Sequence, residues 1–147
     1  MHRFASVLLV DSRGWLLLQE RDEHPVIDPE RWGMVGGHVE DGEDYETAAY
    51  RELTEETGIS LPPGTLRLWG EIQVFHDTYG TLDTAQVWVA RVDLTDADIV
   101  VGEGRQIVFV EPEVARQLER TAAATSVVPD FLDSEDYLQL TQERSDP

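Results

Sequence analysis

The sequence predicts an α+β fold in which helices cover both faces of a mixed β-sheet. Strand-like segments come first, one long amphipathic helix follows them, and further strands and helices complete the chain of 147 residues. This length is typical of one domain, and neither a linker nor an internal repeat divides the chain. We therefore expect a single domain over residues 1–147, with a frayed polar tail at 141–147.

The first half of the chain is predicted to form a hairpin, a loop, a short strand and a helix. The predicted elements are strands at residues 4–10, 15–19 and 32–35, a loop at 21–31, and a helix at 45–56. Aliphatic and β-branched residues indicate the strands, and two prolines in a polar segment indicate the loop. Asp44 is a suitable N-cap for the helix, and Gly58 is a suitable residue to end it.

The second half is predicted to form a long hairpin followed by shorter elements. The predicted elements are strands at residues 66–76, 84–92, 100–101 and 106–110, and helices at 112–120 and 127–140. Gly80 and Asp83 indicate a hairpin connection between the two long strands. Pro112 suits the first turn of a helix.

Composition excludes several classes of function. The chain has no Cys, which excludes a disulfide framework, a thiolate metal site and a thiol nucleophile. A formal net charge of −19 opposes binding to nucleic acid polymers and to anionic membranes, and it repels an anionic substrate unless divalent cations intervene. No apolar run is long enough to span a membrane, and the N-terminus lacks the features of a signal peptide. We therefore expect a soluble cytoplasmic protein.

The predicted helix carries three glutamates on one face. Because each helical residue advances by roughly 100°, Glu52, Glu55 and Glu56 fall within an arc of about 100°. Like charges at this spacing destabilise a helix by about 0.2–0.5 kcal/mol per pair, and either Arg51 or a bound hard cation can offset that repulsion. Mg²⁺ and Mn²⁺ prefer such oxygen ligands. Without further context, an acidic cluster of this kind is more often a solvated helix face.

The spacing of residues 37–59 resembles the Nudix box. That pattern is Gly, five residues, Glu, seven residues and then Arg-Glu-U-x-Glu-Glu-x-Gly-U, where U is aliphatic. Gly37 and Glu43 occupy its first two specified positions, and residues 51–59 are RELTEETGI, so every specified position matches. The order of the predicted strands is also similar to the Nudix hydrolase fold. The resemblance implies a Nudix-type α/β/α sandwich around a mixed sheet over most of the chain.

The resemblance implies a metal site. It identifies Glu52, Glu55 and Glu56 as ligands of a divalent cation, Mg²⁺ or Mn²⁺, and the carbonyl of Gly36 as a backbone ligand. Glu103 lies in a segment that resembles the loop supplying a further glutamate in some MutT-type members. Glu103 is therefore a candidate metal ligand or general base, and an exposed loop residue is the alternative interpretation. Either Glu52 or Glu103 is expected to act as the catalytic base.

Four further residues are expected to support this site. Arg51 and Glu43 resemble the pair that steadies the loop and helix of the box, which begins at Gly37. Arg21 ends the second predicted strand, where relatives often place a phosphate-contacting arginine, and a solvated strand-end arginine is the alternative. The four histidines have no metal-ligand spacing, and the strand aromatics are expected mainly in the core.

The function implied by the resemblance is metal-dependent hydrolysis of a phosphoanhydride bond in a nucleoside diphosphate linked to another group. A canonical or modified nucleoside triphosphate, cleaved to monophosphate and pyrophosphate, is the favoured small-molecule substrate of such a nucleotide pyrophosphohydrolase. The alternative is a non-catalytic nucleotide-binding or regulatory module on the same fold. The family's markers for ADP-ribose and dinucleoside polyphosphates are absent, because Val74 and His76 stand at those positions. The substrate and the choice between monomer and homodimer stay open.

Overall fold

The computed structural model describes residues 1–25 and 27–142, and it contains a seven-stranded mixed β-sheet. The strands are β1 (Arg3–Val10), β2 (Leu16–Glu20), β3 (Trp32–Gly33), β4 (Val35–His38), β5 (Arg67–His76), β6 (Thr81–Arg91) and β7 (Gln106–Val110). The helices are α1 (Tyr45–Thr57), α2 (Pro112–Ala115), α3 (Ala122–Leu132) and α4 (Glu135–Gln142), with a 3₁₀ turn at Asp96–Asp98. The predicted α+β fold is confirmed.

β1 is the strand that connects the parts of the sheet. It runs parallel to β6 along its whole length, and its first half, from Phe4 to Val7, is antiparallel to β4. β2 pairs with β1 only where Val10 faces Leu16, and it continues between β3 and β7. β5 lies antiparallel to β6 on the outer side. β4 therefore pairs with the first half of β1, and β2 pairs with its last residue.

Two hydrophobic cores occupy the two faces of the sheet. Successive side chains of a strand point to opposite faces, so Leu8 packs with Phe131 of α3, whereas Leu9 packs with Leu53 of α1. This arrangement places α1 on one face and α3 on the other. Among the described helices, none combines the length and the hydropathy that a bilayer span requires.

α1 is capped at both ends as the sequence predicts. The Asp44 side chain accepts a 2.7 Å hydrogen bond from the Thr47 amide. At the other end Gly58 has a φ of 74°, and its amide donates to the Thr54 carbonyl at 2.9 Å. These caps fix the register of the helix and hence the direction in which each glutamate points.

The strand predicted at residues 100–101 is wrong. The amide of Val100 donates to the carbonyl of Thr57 at 2.9 Å, and the amide of Gly102 donates to the carbonyl of Glu56 at 2.7 Å. The last carbonyls of an α-helix have no partner inside the helix, and this segment supplies partners for two of them. The loop that follows is thereby bound to the end of α1.

The helix predicted at residues 112–120 is also shorter than expected. α2 ends at Ala115, and the chain turns back so that the Trp32 amide donates to the Glu119 carbonyl and the Thr121 amide donates to the Trp32 carbonyl, each at 2.9 Å. Pairing with Trp32 therefore takes the backbone groups that a longer helix would use.

The single helix predicted at residues 127–140 is two helices. The Thr121 hydroxyl accepts from the Ala124 amide at 3.2 Å and begins α3 early, and the Ser134 hydroxyl accepts from the Tyr137 amide at 3.2 Å and begins α4. α4 continues to Gln142, so the first two residues of the predicted tail are helical. The rest of that tail, residues 143–147, lies outside the described residues.

Candidate active site

Arg51 holds the loop that precedes α1 against the helix. Its Nε donates to Oε2 of Glu43 at 2.8 Å, and its Nη2 donates to Oε1 of Glu43 at 2.9 Å and to the His38 carbonyl at 3.0 Å. These hydrogen bonds from Arg51, together with one from the Glu40 amide, lower the pKa of the Glu43 carboxyl to about 2. The structure thus forms the ion pair expected between Arg51 and Glu43.

The three glutamates of α1 differ in exposure. The Glu56 residue is 5% exposed, whereas the Glu52 and Glu55 side chains are 14% and 58% exposed. Nη1 of Arg51 lies 2.8 Å from Oε1 of Glu52 and 3.2 Å from Oε2 of Glu55. One arginine therefore contacts two of the three carboxylates, and the third is buried away from it.

The two less exposed carboxylates are destabilised as anions. Burial raises the pKa of Glu56 to about 8, although its 3.0 Å hydrogen bond from the Gly36 amide opposes that rise. Burial also raises the pKa of Glu52, against the hydrogen bond from Arg51. The negative charge of Glu103 adds to both shifts, so Glu52, Glu56 and Glu103 act on one another electrostatically.

Two glycines allow these carboxylates to approach the backbone of β4. A Cβ atom on Gly37 would lie 2.6 Å from Cδ of Glu52, and one on Gly36 would collide with the Ala5 carbonyl oxygen of β1. Gly36 also has a φ of 151°, which few other residues adopt. The double glycine is therefore required by contact with both Glu52 and β1.

Glu103 is brought to the same region by the loop that binds the end of α1. A Cβ atom on Gly102 would collide with the Glu55 carbonyl oxygen, so the loop can lie this close only with glycine there. The Gln19 side-chain amide donates to the Glu103 carbonyl at 3.0 Å. The Glu103 side chain itself is exposed, and it lines the same cavity as Glu56.

A cavity of about 300 Å³ extends from this acidic cluster across the sheet face that carries α3. Its acidic end is lined by Glu56, Glu103 and the two glycines of β4, and Arg21 lies beside them. Nη2 of Arg21 donates to the Ile27 carbonyl at 3.0 Å, while its buried Nε has no partner within the described part of the chain. A guanidinium on a residue that lines a cavity suits an anionic ligand.

Five rings contact one another beside the cavity, and all of them except His2 line it. They are the side chains of His2, Phe4, His38, His76 and Tyr79, which we call the ring cluster. Strand pairing explains the cluster, because β4 places His38 opposite Phe4, and β6 lies between β1 and the strand that ends at His76. Alternation along each strand is visible in the sequence, but the pairing that joins these strands is not.

The aromatic residues of the strands follow the prediction in part. Trp32 and Trp69 pack against the core beneath α3, and Trp88 packs against the core beneath α1, as expected. Phe75 is 56% exposed and belongs to neither core. Phe4 of β1 and Tyr79, in the loop between β5 and β6, line the cavity.

The acidic cluster fits a hard divalent cation. All of its side-chain donors are carboxylate oxygens, and the buried Glu56 carboxylate has a raised pKa that a positive charge would relieve. Among residues 1–25 and 27–142, no three acidic or imidazole side chains already surround a common point, and Arg51 contacts both Glu52 and Glu55. Cation binding would therefore compete with these two contacts of Arg51.

Sequence comparison relates the chain to known proteins. A family model described as the NUDIX domain matches residues 1–131. Dihydroneopterin triphosphate diphosphatase of Escherichia coli strain K12 is 31% identical over 136 residues, which cover 83% of this chain and 82% of that protein. The m7GpppN-mRNA hydrolase NUDT17 of Bos taurus is 35% identical over 74 residues, and the chain spans only 24% of its length.

Structural comparison gives the same result for the fold. The crystal structure of a MutT protein from Methanosarcina mazei Go1 superposes with a TM-score of 0.76 at 23% identity. The superposition covers 92% of this chain and 94% of the other. At this identity the likeness establishes the shared fold, and any statement about substrate needs the residues of the site.

Proposed function

The chain belongs to the Nudix family of pyrophosphohydrolases, and from that membership we propose that it hydrolyses a nucleoside triphosphate or a related triphosphate to the monophosphate and pyrophosphate. One observation carries the proposal. A single cavity joins two residues of the acidic cluster, Glu56 and Glu103, to a ring-lined compartment suited to a planar heterocycle. Arg21, which also lines this cavity, is the proposed phosphate-contacting residue.

The proposed cation ligands are the four carboxylates of the acidic cluster and the backbone carbonyl beside them. They are Glu52, Glu55, Glu56, Glu103 and the carbonyl oxygen of Gly36. A divalent cation bound there would neutralise phosphate oxygens and lower the pKa of a water molecule. Arg51, fixed to Glu43 by two hydrogen bonds, orients the start of this helix face.

The proposed reaction is direct attack of water on phosphorus. The water oxygen forms a bond to one of the two phosphorus atoms of the α–β linkage, the bond from that phosphorus to the oxygen bridging them breaks, and the monophosphate and pyrophosphate separate. The proton of the water passes to Glu52 or Glu103, the two candidate bases. No covalent bond to the protein is required.

The comparisons support a triphosphate substrate without naming one for this chain. The Escherichia coli relative, which the chain covers over most of its length, is named for dihydroneopterin triphosphate. Dihydroneopterin triphosphate, like a nucleoside triphosphate, carries a planar nitrogen heterocycle at one end and a triphosphate at the other. Both types of molecule therefore present the two chemical ends that the proposal assigns to the cavity.

A hydrolysis screen with identified products tests the proposal. Canonical and oxidised nucleoside triphosphates, dihydroneopterin triphosphate, nucleotide sugars and dinucleotides are incubated with Mg²⁺ or Mn²⁺, and products are assigned by ³¹P NMR. We expect pyrophosphate and a monophosphate from at least one triphosphate. Glu46→Gln is a matched control for substitutions of the proposed ligand glutamates. It removes an exposed carboxylate from the first turn of the same helix, away from the cavity.

The screen also separates the proposal from its alternative. Release of inorganic phosphate in place of pyrophosphate would show that another bond is cleaved. Binding of nucleotides without cleavage of any substrate would support the non-catalytic module. The predicted cytoplasmic location and the choice between monomer and homodimer stay predictions of the sequence.

A further inference from the structure

The ring cluster contains a buried carboxylate that orients one of its histidines. The Asp83 side chain is 0% exposed, and its Oδ2 lies 2.6 Å from Nδ1 of His76, whose side chain is 10% exposed. Oδ1 of Asp83 accepts from the His2 amide and from the Thr81 hydroxyl, each at 2.7 Å. Burial disfavours the anion, but the hydrogen bonds from His2, His76 and Thr81 outweigh it and hold the pKa of Asp83 at about 2.

This arrangement determines which nitrogen of His76 carries the proton. An ionised carboxylate can only accept hydrogen bonds, so the 2.6 Å contact requires that Nδ1 of His76 donates to Asp83. In the neutral ring, Nε2 is then the unprotonated nitrogen and acts as an acceptor. His76 lines the cavity, and Asp83 takes its Nδ1, so Nε2 is the ring nitrogen available to a ligand there.

The other rings form apolar faces around this acceptor. The centroids of Phe4 and His38 are 4.4 Å apart, and Phe4 meets His76 edge to face at 5.3 Å. Tyr79 is held from behind by His2, whose ring stacks on it at 3.9 Å with an interplanar angle of 20°. Such rings bind the flat face of a heterocycle, while a single acceptor reads its edge.

We propose that the ring cluster is the subsite for a planar nitrogen heterocycle, and that Nε2 of His76 selects heterocycles that present an N–H donor at their edge. Purines with a protonated N1, of the guanine and hypoxanthine type, satisfy this requirement. His76 is the specificity-determining residue, and Asp83 is a positioning residue that acts through it. This inference rests on the proposed function only for the triphosphate that the heterocycle carries.

A pair of substrates that differ at the purine edge tests the inference. Inosine triphosphate has N1–H, whereas purine riboside triphosphate has a lone pair at N1. We expect the wild-type chain to prefer inosine triphosphate by at least about tenfold in kcat/KM, chiefly through KM, because a lone pair facing Nε2 leaves both groups unpaired. His76→Phe keeps a flat ring and removes the acceptor, so the preference should fall to near one.

Asp83→Asn gives a sharper test, because it should reverse the preference. Oδ1 of the new amide must still accept from the His2 amide and the Thr81 hydroxyl, which turns the amide nitrogen toward Nδ1 of His76. Nδ1 then becomes the acceptor and Nε2 the donor. Purine riboside triphosphate should become the better substrate, an outcome that simple loss of structure does not produce.

Controls separate this inference from the proposed function. Phe75→Ala removes the exposed neighbour of His76 on the opposite side of β5 and should leave the preference unchanged. Methyl triphosphate, which has no ring, reports hydrolysis alone. Calorimetry with non-hydrolysable analogues of the two purine triphosphates measures the preference even if nothing is cleaved. A wild-type preference near one, or a preference that persists in His76→Phe, would overturn the inference.

Discussion

The backbone amide of Gly36 donates a 3.0 Å hydrogen bond to Oε2 of Glu56, and this contact joins β4 to the C-terminal turn of α1. The carboxylate that receives it is 5% exposed, lies near two other acidic groups and has a strongly raised pKa. Retaining such a group costs stability in the absence of a cation. Because Glu56 lowers the stability of the metal-free protein, we expect that its carboxylate is needed for ligand binding.

Glu56→Gln should therefore stabilise the metal-free protein while impairing its activity. In the presence of EDTA and at a pH above about 8, where the Glu56 carboxyl is ionised, loss of the buried charge should raise the free energy of unfolding by about 1–3 kcal/mol. Mg²⁺-dependent turnover should fall by about 100-fold. Urea unfolding and pyrophosphate release measure the two effects. Glu55→Gln is the matched control for stability, because its side chain is 58% exposed and should change unfolding little. Intact turnover in Glu56→Gln would remove this residue from the proposed ligands.

Arg51→Lys should destabilise the protein even though it keeps the charge. Lysine cannot reproduce the two parallel hydrogen bonds to Glu43, which Arg51 makes at 2.8 and 2.9 Å. We expect a loss of about 1–2 kcal/mol in the free energy of unfolding and a lower kcat. Arg116→Lys is the comparison, because its 2.8 Å pair with the exposed Asp133 should contribute less than about 0.5 kcal/mol. Equal effects at the two sites would contradict a special role for the forked contact.

Gly102→Ala should displace the loop that carries Glu103. The new methyl group would collide with the Glu55 carbonyl oxygen, which is backbone and cannot move aside without disturbing α1. We expect destabilisation of about 1–3 kcal/mol and reduced turnover. Gly70→Ala tests the same substitution where no atom lies within 4 Å, and stability there should stay within about 0.5 kcal/mol. Glu103→Gln leaves the loop in place and removes only the carboxylate. Comparing its turnover with that of Gly102→Ala separates the effect of the carboxylate from the effect of the loop position.

Asp83 should make stability dependent on pH in the acid range. Its folded pKa of about 2 lies below its ordinary value of 3.8, so the folded state binds the proton less readily than the unfolded state. The resulting stabilisation is present above about pH 4 and is lost as the pH falls toward 2. We expect about 1–2 kcal/mol from this group. Urea unfolding of the wild type and of Asp83→Asn between pH 2 and 5 should show a smaller slope in the variant.

The local features of this protein follow from the sequence alone. Asp44 and Gly58 predict both ends of α1, the helix period predicts the acidic face, and the resemblance of residues 37–59 to the Nudix box implies the Arg51–Glu43 pair. Each of these features depends only on residues within the segment 37–59. The helix wheel therefore contains most of the information needed to place the three glutamates.

The features that the sequence did not predict depend on contacts between distant segments. Residues 100–101 resemble a strand by composition, but they bind the open end of α1, a partner that no local pattern reveals. His76 and Asp83 lie seven residues apart on adjoining strands, yet their role depends on His2, which is 81 residues from Asp83 in the chain. The strand propensities of individual residues do not predict which distant segments will pair.

The Gly36–Glu56 link and the ring cluster thus differ in how far apart their residues lie in the sequence, and therefore in how freely each can be altered by substitution. The link between Gly36 and Glu56 spans 20 residues and is made within one continuous segment of the chain. The ring cluster joins β1, β4 and the β5–β6 hairpin, so a substitution in the hairpin or at the start of β1 can alter the shape of the compartment without contacting the acidic cluster. Evolution of a new substrate preference on this scaffold would then proceed through the hairpin and the first strand, with the hydrolytic part inherited intact.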